Sequence, residues 1–248
     1  MSIFNEYKMQ NTNKNIFNDV NSDWWDPNGS FKALHSINPC RIEYIIKTLY
    51  RNKLIEHNLN SKHKILKGLD IIDIGCGGGL LCEPLARLGG NVLGIDNAPN
   101  AIKVAKNHAK KMNLKIQYQC TKIEDLSNAK FDLIIASEII EHIENRKSFL
   151  DNITKISNSK SSIVITTINK SLPGIILAKY IAEYFLKLIP VGTHDWEKFI
   201  SPETLQVEAE KSGIILDDFT GIMPNPIRKD FFLGPILAVN YAASGMIK

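Results

Sequence analysis

The sequence predicts an α/β fold built on a mostly parallel, seven-stranded sheet with a terminal antiparallel strand. Three observations carry the prediction. From Leu69 onward short aliphatic runs alternate with longer segments of helical period, a glycine-rich turn follows the first run, and an acid, Asp96, closes the second. Such alternation describes βαβ units, whose strands are covered on both faces and therefore read as unbroken apolar runs.

Ahead of the alternation, residues 1–60 are expected to form a helical cover. Asn and Lys crowd the first 20 positions, as at a frayed terminus, and order is expected from Phe17. An aromatic, turn-rich stretch follows, Asp23-Trp24-Trp25-Asp26-Pro27-Asn28-Gly29-Ser30-Phe31. Asn38-Pro39 then suits a helix start, Asn as N-cap and Pro in the first turn, with Ile42, Ile45, Ile46 and Leu49 as its apolar face. In the core, residues 65–170, strands are expected at 69–74, 92–95, 116–118, 131–135 and 163–167 and helices at 80–88, 98–112 and 146–156. An insertion occupies 171–200. Residues 201–248 complete the sheet with strands at 214–219 and 235–241, and no long helix separates them.

At roughly 150 residues per domain, a chain of 248 residues needs one large core. Hydrophobic residues make up 44% and charged residues 23%, which excludes collagen-like and disordered chains. Lys plus Arg exceed Asp plus Glu by only 4 charges, too few to make a nucleic acid the main partner. Cys40, Cys76, Cys82 and Cys120 form no C-x-x-C pair of a zinc or thioredoxin-like site, so a reducing compartment is expected. No run of about 18 apolar residues is present. Residues 1–23 lack a signal-peptide apolar core and contain no Arg, so a cytoplasmic location is expected.

The strongest local signal is Asp73-Ile74-Gly75-Cys76-Gly77-Gly78-Gly79, where the first strand runs into its βα turn. Glycines there permit positive φ and close approach of a ligand to the backbone. Asp96, 21 residues after Gly75, is placed to accept hydrogen bonds from two ribose hydroxyls. Leu80 stands where a dinucleotide motif would carry its last Gly, and no Gly-Lys-Ser/Thr of a phosphate loop follows. The pattern instead resembles the first motif of S-adenosylmethionine (SAM) dependent methyltransferases with a Rossmann-like sheet.

Further blocks make nearly the whole chain similar to the O-methyltransferases of ubiquinone biosynthesis. They are Trp24-Trp25-Asp26-Pro27, the run from Phe31 to Arg41, Ser137-Glu138-Ile139-Ile140-Glu141-His142, and Gly192-Thr193-His194-Asp195 with Lys198-Phe199-Ile200. The resemblance implies O-methylation of polyprenylated dihydroxybenzenes, namely polyprenyl-hydroxyphenol and demethylubiquinol. It further implies that Gly75, Gly77 and Asp96 bind SAM, that Arg41 meets its methionine carboxylate, and that Ser137 lines the pocket. Adjacent Trp24 and Trp25 suit packing in a core or lid. Thr121-Lys122-Ile123-Glu124-Asp125 departs from the pattern, lacking the acid that many relatives place after the third strand for the adenine amine.

SAM is already an activated methyl donor, so the remaining task is to align a phenol and take its proton. A phenol of pKa about 10 is protonated at neutral pH, and either a general base or a metal must intervene. Glu138, Glu141 and His142 would share one face of a helix. They suit Mg²⁺ or another divalent cation shared with adjacent substrate oxygens, His142 acting as a metal-free base, or a purely structural turn. His194 and Asp195 form a second candidate pair.

Residues 172–190 read as an amphipathic helix. Lys179, Glu183 and Lys187 are its only charges and fall in one stripe of about 80°, the rest being aliphatic or aromatic. Such a face packs inside the domain, forms a dimer seam, or lies on an anionic membrane surface. The nearest enzyme rival is a methyltransferase for another small phenol, and the rival from another class is a non-catalytic SAM-binding scaffold among other ubiquinone-biosynthesis proteins.

Overall fold

The computed structural model describes residues 23–56, 64–126, 129–171, 199–225, 227–228 and 230–248. Among them, eight strands form one sheet in the order β3-β2-β1-β4-β5-β8-β6-β7. The strands are β1 (Asp70–Ile74), β2 (Asn91–Asp96), β3 (Gln117–Cys120), β4 (Phe131–Ser137), β5 (Ser157–Ile168), β6 (Ile214–Asn225), β7 (Asp230–Gly234) and β8 (Asn240–Ile247). The first five are mutually parallel, β8 runs antiparallel between β5 and β6, and β7 pairs antiparallel with β6.

The sheet thus has one strand more than expected, and the segment read as a strand at 235–241 is mostly the connection between β7 and β8. The apolar signal fades after Tyr241 because Ala242-Ala243-Ser244-Gly245 are small. Their size is what β8 needs between two neighbours, since a methyl at Gly245 would run into the Ile215 carbonyl.

The helices are α1 (Lys32–Arg51), α2 (Cys82–Arg87), α3 (Pro99–Lys111), α4 (Arg146–Lys155) and α5 (Pro202–Glu210). Alternation along each strand sends side chains to opposite faces. Ile71, Leu133, Ile135 and Val164 pack with Leu49, Leu85 and Ile102 of α1, α2 and α3. Ile72, Ile134, Ile163 and Ile165 pack with Phe149, Leu150 and Leu205 of α4 and α5. Each such residue contributes roughly 1.5–3 kcal/mol, which fixes the sheet and leaves its carboxyl edge to the connecting loops.

Helix α1 corrects a second expectation. It begins at Lys32, with Pro39 in its interior and Asn38 buried rather than capping. Burial of Ile37, Cys40, Tyr44, Ile45 and Leu49 along one face outweighs the backbone hydrogen bond that Pro39 removes. The Tyr44 hydroxyl lies 2.7 Å from Asp218 Oδ2 and 2.8 Å from Ser244 Oγ, tying α1 to β6 and β8.

Candidate functional site

The glycine turn crosses the end of β2. Gly75 N and Cys76 N both donate to Ile95 O, at 2.8 and 3.0 Å. Gly75 and Gly77 have φ of +75° and +52°, and a methyl on them would collide with Ile139 and Trp24 respectively. Asp96 holds the turn from the far side. Its Oδ2 accepts from Gly77 N at 2.9 Å and its Oδ1 from Ala98 N at 2.8 Å. A carboxylate offers about four lone-pair directions, so two remain for a vicinal diol. Next to Asp96 lies a cleft of about 640 Å³ lined by Asn97, Cys120, Thr121, Lys122, Glu124 and Asp125.

The tryptophan pair is a strap over this turn. Trp24 is buried and stacks on Phe31 with centroids 3.8 Å apart. Trp25 Nε1 donates to Gly78 O at 3.0 Å, and its ring stacks on His108 at 3.6 Å. His108 Nδ1 in turn lies 2.6 Å from Glu83 Oε1. Gly77 and Gly78 lack side chains where the indole of Trp24 presses on the backbone.

At the end of β4 the expected helical face is absent. Ile140–His142 is one 3-10 turn, and Glu138 precedes it with φ +52°. That left-handed backbone is strained for a residue with a Cβ, and it turns the Glu138 carboxylate toward α1. Arg41 Nη2 lies 3.0 Å from Glu138 Oε1. Thr166 Oγ1 donates to the same oxygen at 3.0 Å, which leaves the Ser137 hydroxyl to donate to Thr166 at 2.8 Å. Glu141 is buried and accepts from Thr167 Oγ1 at 2.8 Å, whereas His142 is exposed. Burial, then the charge of Glu138, pushes the Glu141 carboxyl well above the ordinary range. Among the described residues no three His, Cys, Asp or Glu side chains are grouped to hold a metal ion. Glu138 and Glu141 lie close enough for the charge of one to raise the other and bond adjacent threonines of β5, while His142 is exposed; with Glu138 paired to Arg41, the three do not form a cation's donor set in this arrangement.

Two polar residues with no binding role assigned from sequence stand beside the site. Asp73, in a strand of isoleucines, is 2% exposed and accepts from Cys82 Sγ at 3.2 Å. Its signal was an acid inside a run otherwise apolar on both faces. Asn38 donates from Nδ2 to Leu80 O at 2.7 Å, just past the glycine turn. Its Oδ1 and the Nε of Arg41 are buried with no hydrogen-bond partner among the described residues. Residues 172–190, His194 and Asp195 lie outside the described residues.

A strand-end acid closing on a glycine turn, at the carboxyl edge of five parallel strands continued by an antiparallel β8, defines a Rossmann-like methyltransferase, and residues 65–201 match the family model described as a methyltransferase domain. The fold agrees. Magnesium protoporphyrin IX methyltransferase from Synechocystis PCC 6803, solved with bound SAH, superposes with a TM-score of 0.65 at 17% identity over 94% of this chain and 96% of that one. A SAM-dependent methyltransferase from Clostridium acetobutylicum ATCC 824 gives 0.58 at 14% identity, over 98% of each chain.

Similarity in sequence is narrower. The chain is 41% identical over 226 residues to the ubiquinone biosynthesis O-methyltransferase of Pelagibacter ubique strain HTCC1062, covering 91% of this chain and 92% of that protein. Identity to the protein of the same name from Rhodopseudomonas palustris strain BisB5 is 38%, over 91% of this chain and 88% of the other. This chain belongs to the ubiquinone biosynthesis O-methyltransferase family.

Proposed function

We propose that the protein methylates a ring hydroxyl of polyprenylated dihydroxybenzenes, 2-polyprenyl-6-hydroxyphenol and 3-demethylubiquinol, using SAM. The observation that carries the reading is the Asp96 carboxylate, fixed by Gly77 N and Ala98 N with two acceptor directions to spare. Bound there, SAM supplies a methyl already activated on a sulfonium. Asp96 holds the ribose hydroxyls, Gly75 and Gly77 supply the positive-φ turn that brings Gly77 N to Asp96, and the Trp24 strap keeps water from the turn. Arg41 donates toward the methionine carboxylate, and Ser137 lines the wall opposite.

For the phenolic proton, the choice falls on Glu141. A base works best when its pKa lies near the working pH, and burial beside Glu138 moves Glu141 in that direction. His142, exposed on the same 3-10 turn, is the alternative base. No step is routed through a cation, because Glu138 is committed to Arg41 and Glu141 to Thr167. Loss of turnover on chelation, restored by Mg²⁺, would show that the three side chains regroup around a metal when substrate binds.

Asp96→Ala is expected to weaken SAM binding about 10- to 100-fold, since hydrogen bonds to a charged acceptor contribute roughly 1.5–3 kcal/mol. Calorimetry on the folded variant reads this directly. Unchanged affinity would remove Asp96 from the site, and NADH binding as tight as SAM would overturn the cofactor.

A further inference from the structure

We propose that Asn38 receives the α-ammonium of the SAM methionine while Arg41 donates to the adjacent carboxylate, so that one turn of α1 reads the amino-acid end of the cofactor as a zwitterion. The inference rests on the SAM reading above and extends it to a residue with no assigned part in binding. Its basis is a pair of buried polar groups of opposite hydrogen-bonding character, one helical turn apart on α1, that have no hydrogen-bond partner among the described residues.

Asn38 is 8% exposed. Its amide cannot be turned over, because Nδ2 donates to Leu80 O at 2.7 Å and a flip would set two acceptors against each other. Oδ1 therefore faces away from the Leu80 carbonyl, fixed in direction and without a partner among the described residues. A buried acceptor left in that state costs free energy, and native structures pair nearly all of them.

Three residues on, Arg41 is 6% exposed, and its Nη2 is taken by Glu138 at 3.0 Å. Its Nε–H has no partner among the described residues. Side chains three apart on a helix have Cβ atoms about 5–6 Å apart. An acceptor that cannot donate thus lies one helical turn from a donor that cannot accept. A ligand that satisfies both must present a donor next to an acceptor, which is the arrangement of an α-amino acid. Ribose hydroxyls have their own acceptor in Asp96, at the end of the neighbouring strand.

Arg41 also lies within electrostatic reach of Asp73 and Glu141. Leu80 also connects Asn38 to the glycine turn, which fixes the direction of the acceptor.

Calorimetry with three ligands tests the assignment: SAH, its analogue lacking the α-amino group, and 5′-methylthioadenosine, which lacks the whole amino-acid end. The wild type is expected to bind SAH about 10-fold or more tightly than the deamino analogue, and Asn38→Ala to reduce that preference to near unity while leaving 5′-methylthioadenosine affinity unchanged. Equal affinity of the wild type for SAH and the deamino analogue overturns the proposal. So does an Asn38→Ala variant that weakens all three ligands alike, which would place the effect in the Leu80 contact. If Asn38→Ala does not fold, Asn38→Ser, whose hydroxyl can still donate toward Leu80 O while the amide acceptor is removed, must reduce the preference, and an undiminished preference there counts against the assignment. No binding of SAH by the wild type would overturn the cofactor reading itself.

Discussion

Burial of Asp73 is the largest cause that lifts its carboxyl from the ordinary 3.8 to about 7, against the lowering effects of the Cys82 thiol and Arg41. The folded protein therefore binds this proton more tightly than the unfolded chain does. The stability that follows is fully present below pH 3.8 and is lost as pH rises through 7. Asp73→Asn should flatten the dependence of stability on pH across that window, by on the order of a few kcal/mol. Urea melts from pH 4 to 8 would show it, and parallel curves for the variant and the wild type would contradict it. At this scale the sequence made Gly75, Gly77 and Asp96 legible, because a strand end, a turn and an acid at fixed spacing leave few alternatives. Glu138, Glu141 and His142 were read through a helix that does not form. Glu138 is left-handed and pairs with Arg41, the turn after it is 3-10, and nothing in the spacing announced that.

Helix α5 shows an element whose signal was present but not used. Ser201 accepts from Thr204 N at 3.2 Å and Pro202 holds the first helical position, which together form a standard helix start. Ser201→Ala should cost about 1 kcal/mol and lower Tm by about 2–4 °C for a chain of this size. A calorimetric scan that finds no change would mean that packing of Leu205 and Ala209 alone holds the helix. The start of α1 failed for the converse reason. Asn38-Pro39 has the local form of a cap, yet Asn38 is spent on Leu80 O and Pro39 is carried inside the helix by the buried face around it. Local propensity of that kind gives way to tertiary packing.

For the whole molecule, the parallel half of the sheet was legible because both-face burial leaves unbroken aliphatic runs, such as Ile71-Ile72 and Ile134-Ile135. The antiparallel end was less so, since β8 is built of small residues and β7 extends a hairpin that the apolar pattern does not mark. No helix among the described residues is long and apolar enough to cross a membrane. A prenylated phenol nevertheless partitions into the bilayer while SAM stays in water, and the pattern of residues 172–190 suits that boundary. The protein should bind anionic liposomes reversibly and salt-sensitively, Lys179 and Lys187 adding on the order of 1 kcal/mol each. Replacing Ile176, Tyr180 and Phe185 by Ser should abolish binding without lowering Tm. Wild-type protein that never co-sediments, or a triple variant that unfolds, would place this face inside the domain.

The central claim is that the chain transfers a methyl group to a phenolic oxygen instead of merely holding the cofactor. Its most direct test is a single turnover with SAM and a short-prenyl dihydroxybenzene, followed by mass spectrometry of the products. The account predicts one ring hydroxyl converted to its methyl ether, one SAH formed for each ether, and a rate that collapses in Glu141→Gln while SAM affinity holds. SAM bound at normal affinity with no ether formed would contradict it and leave a SAM-binding scaffold in its place.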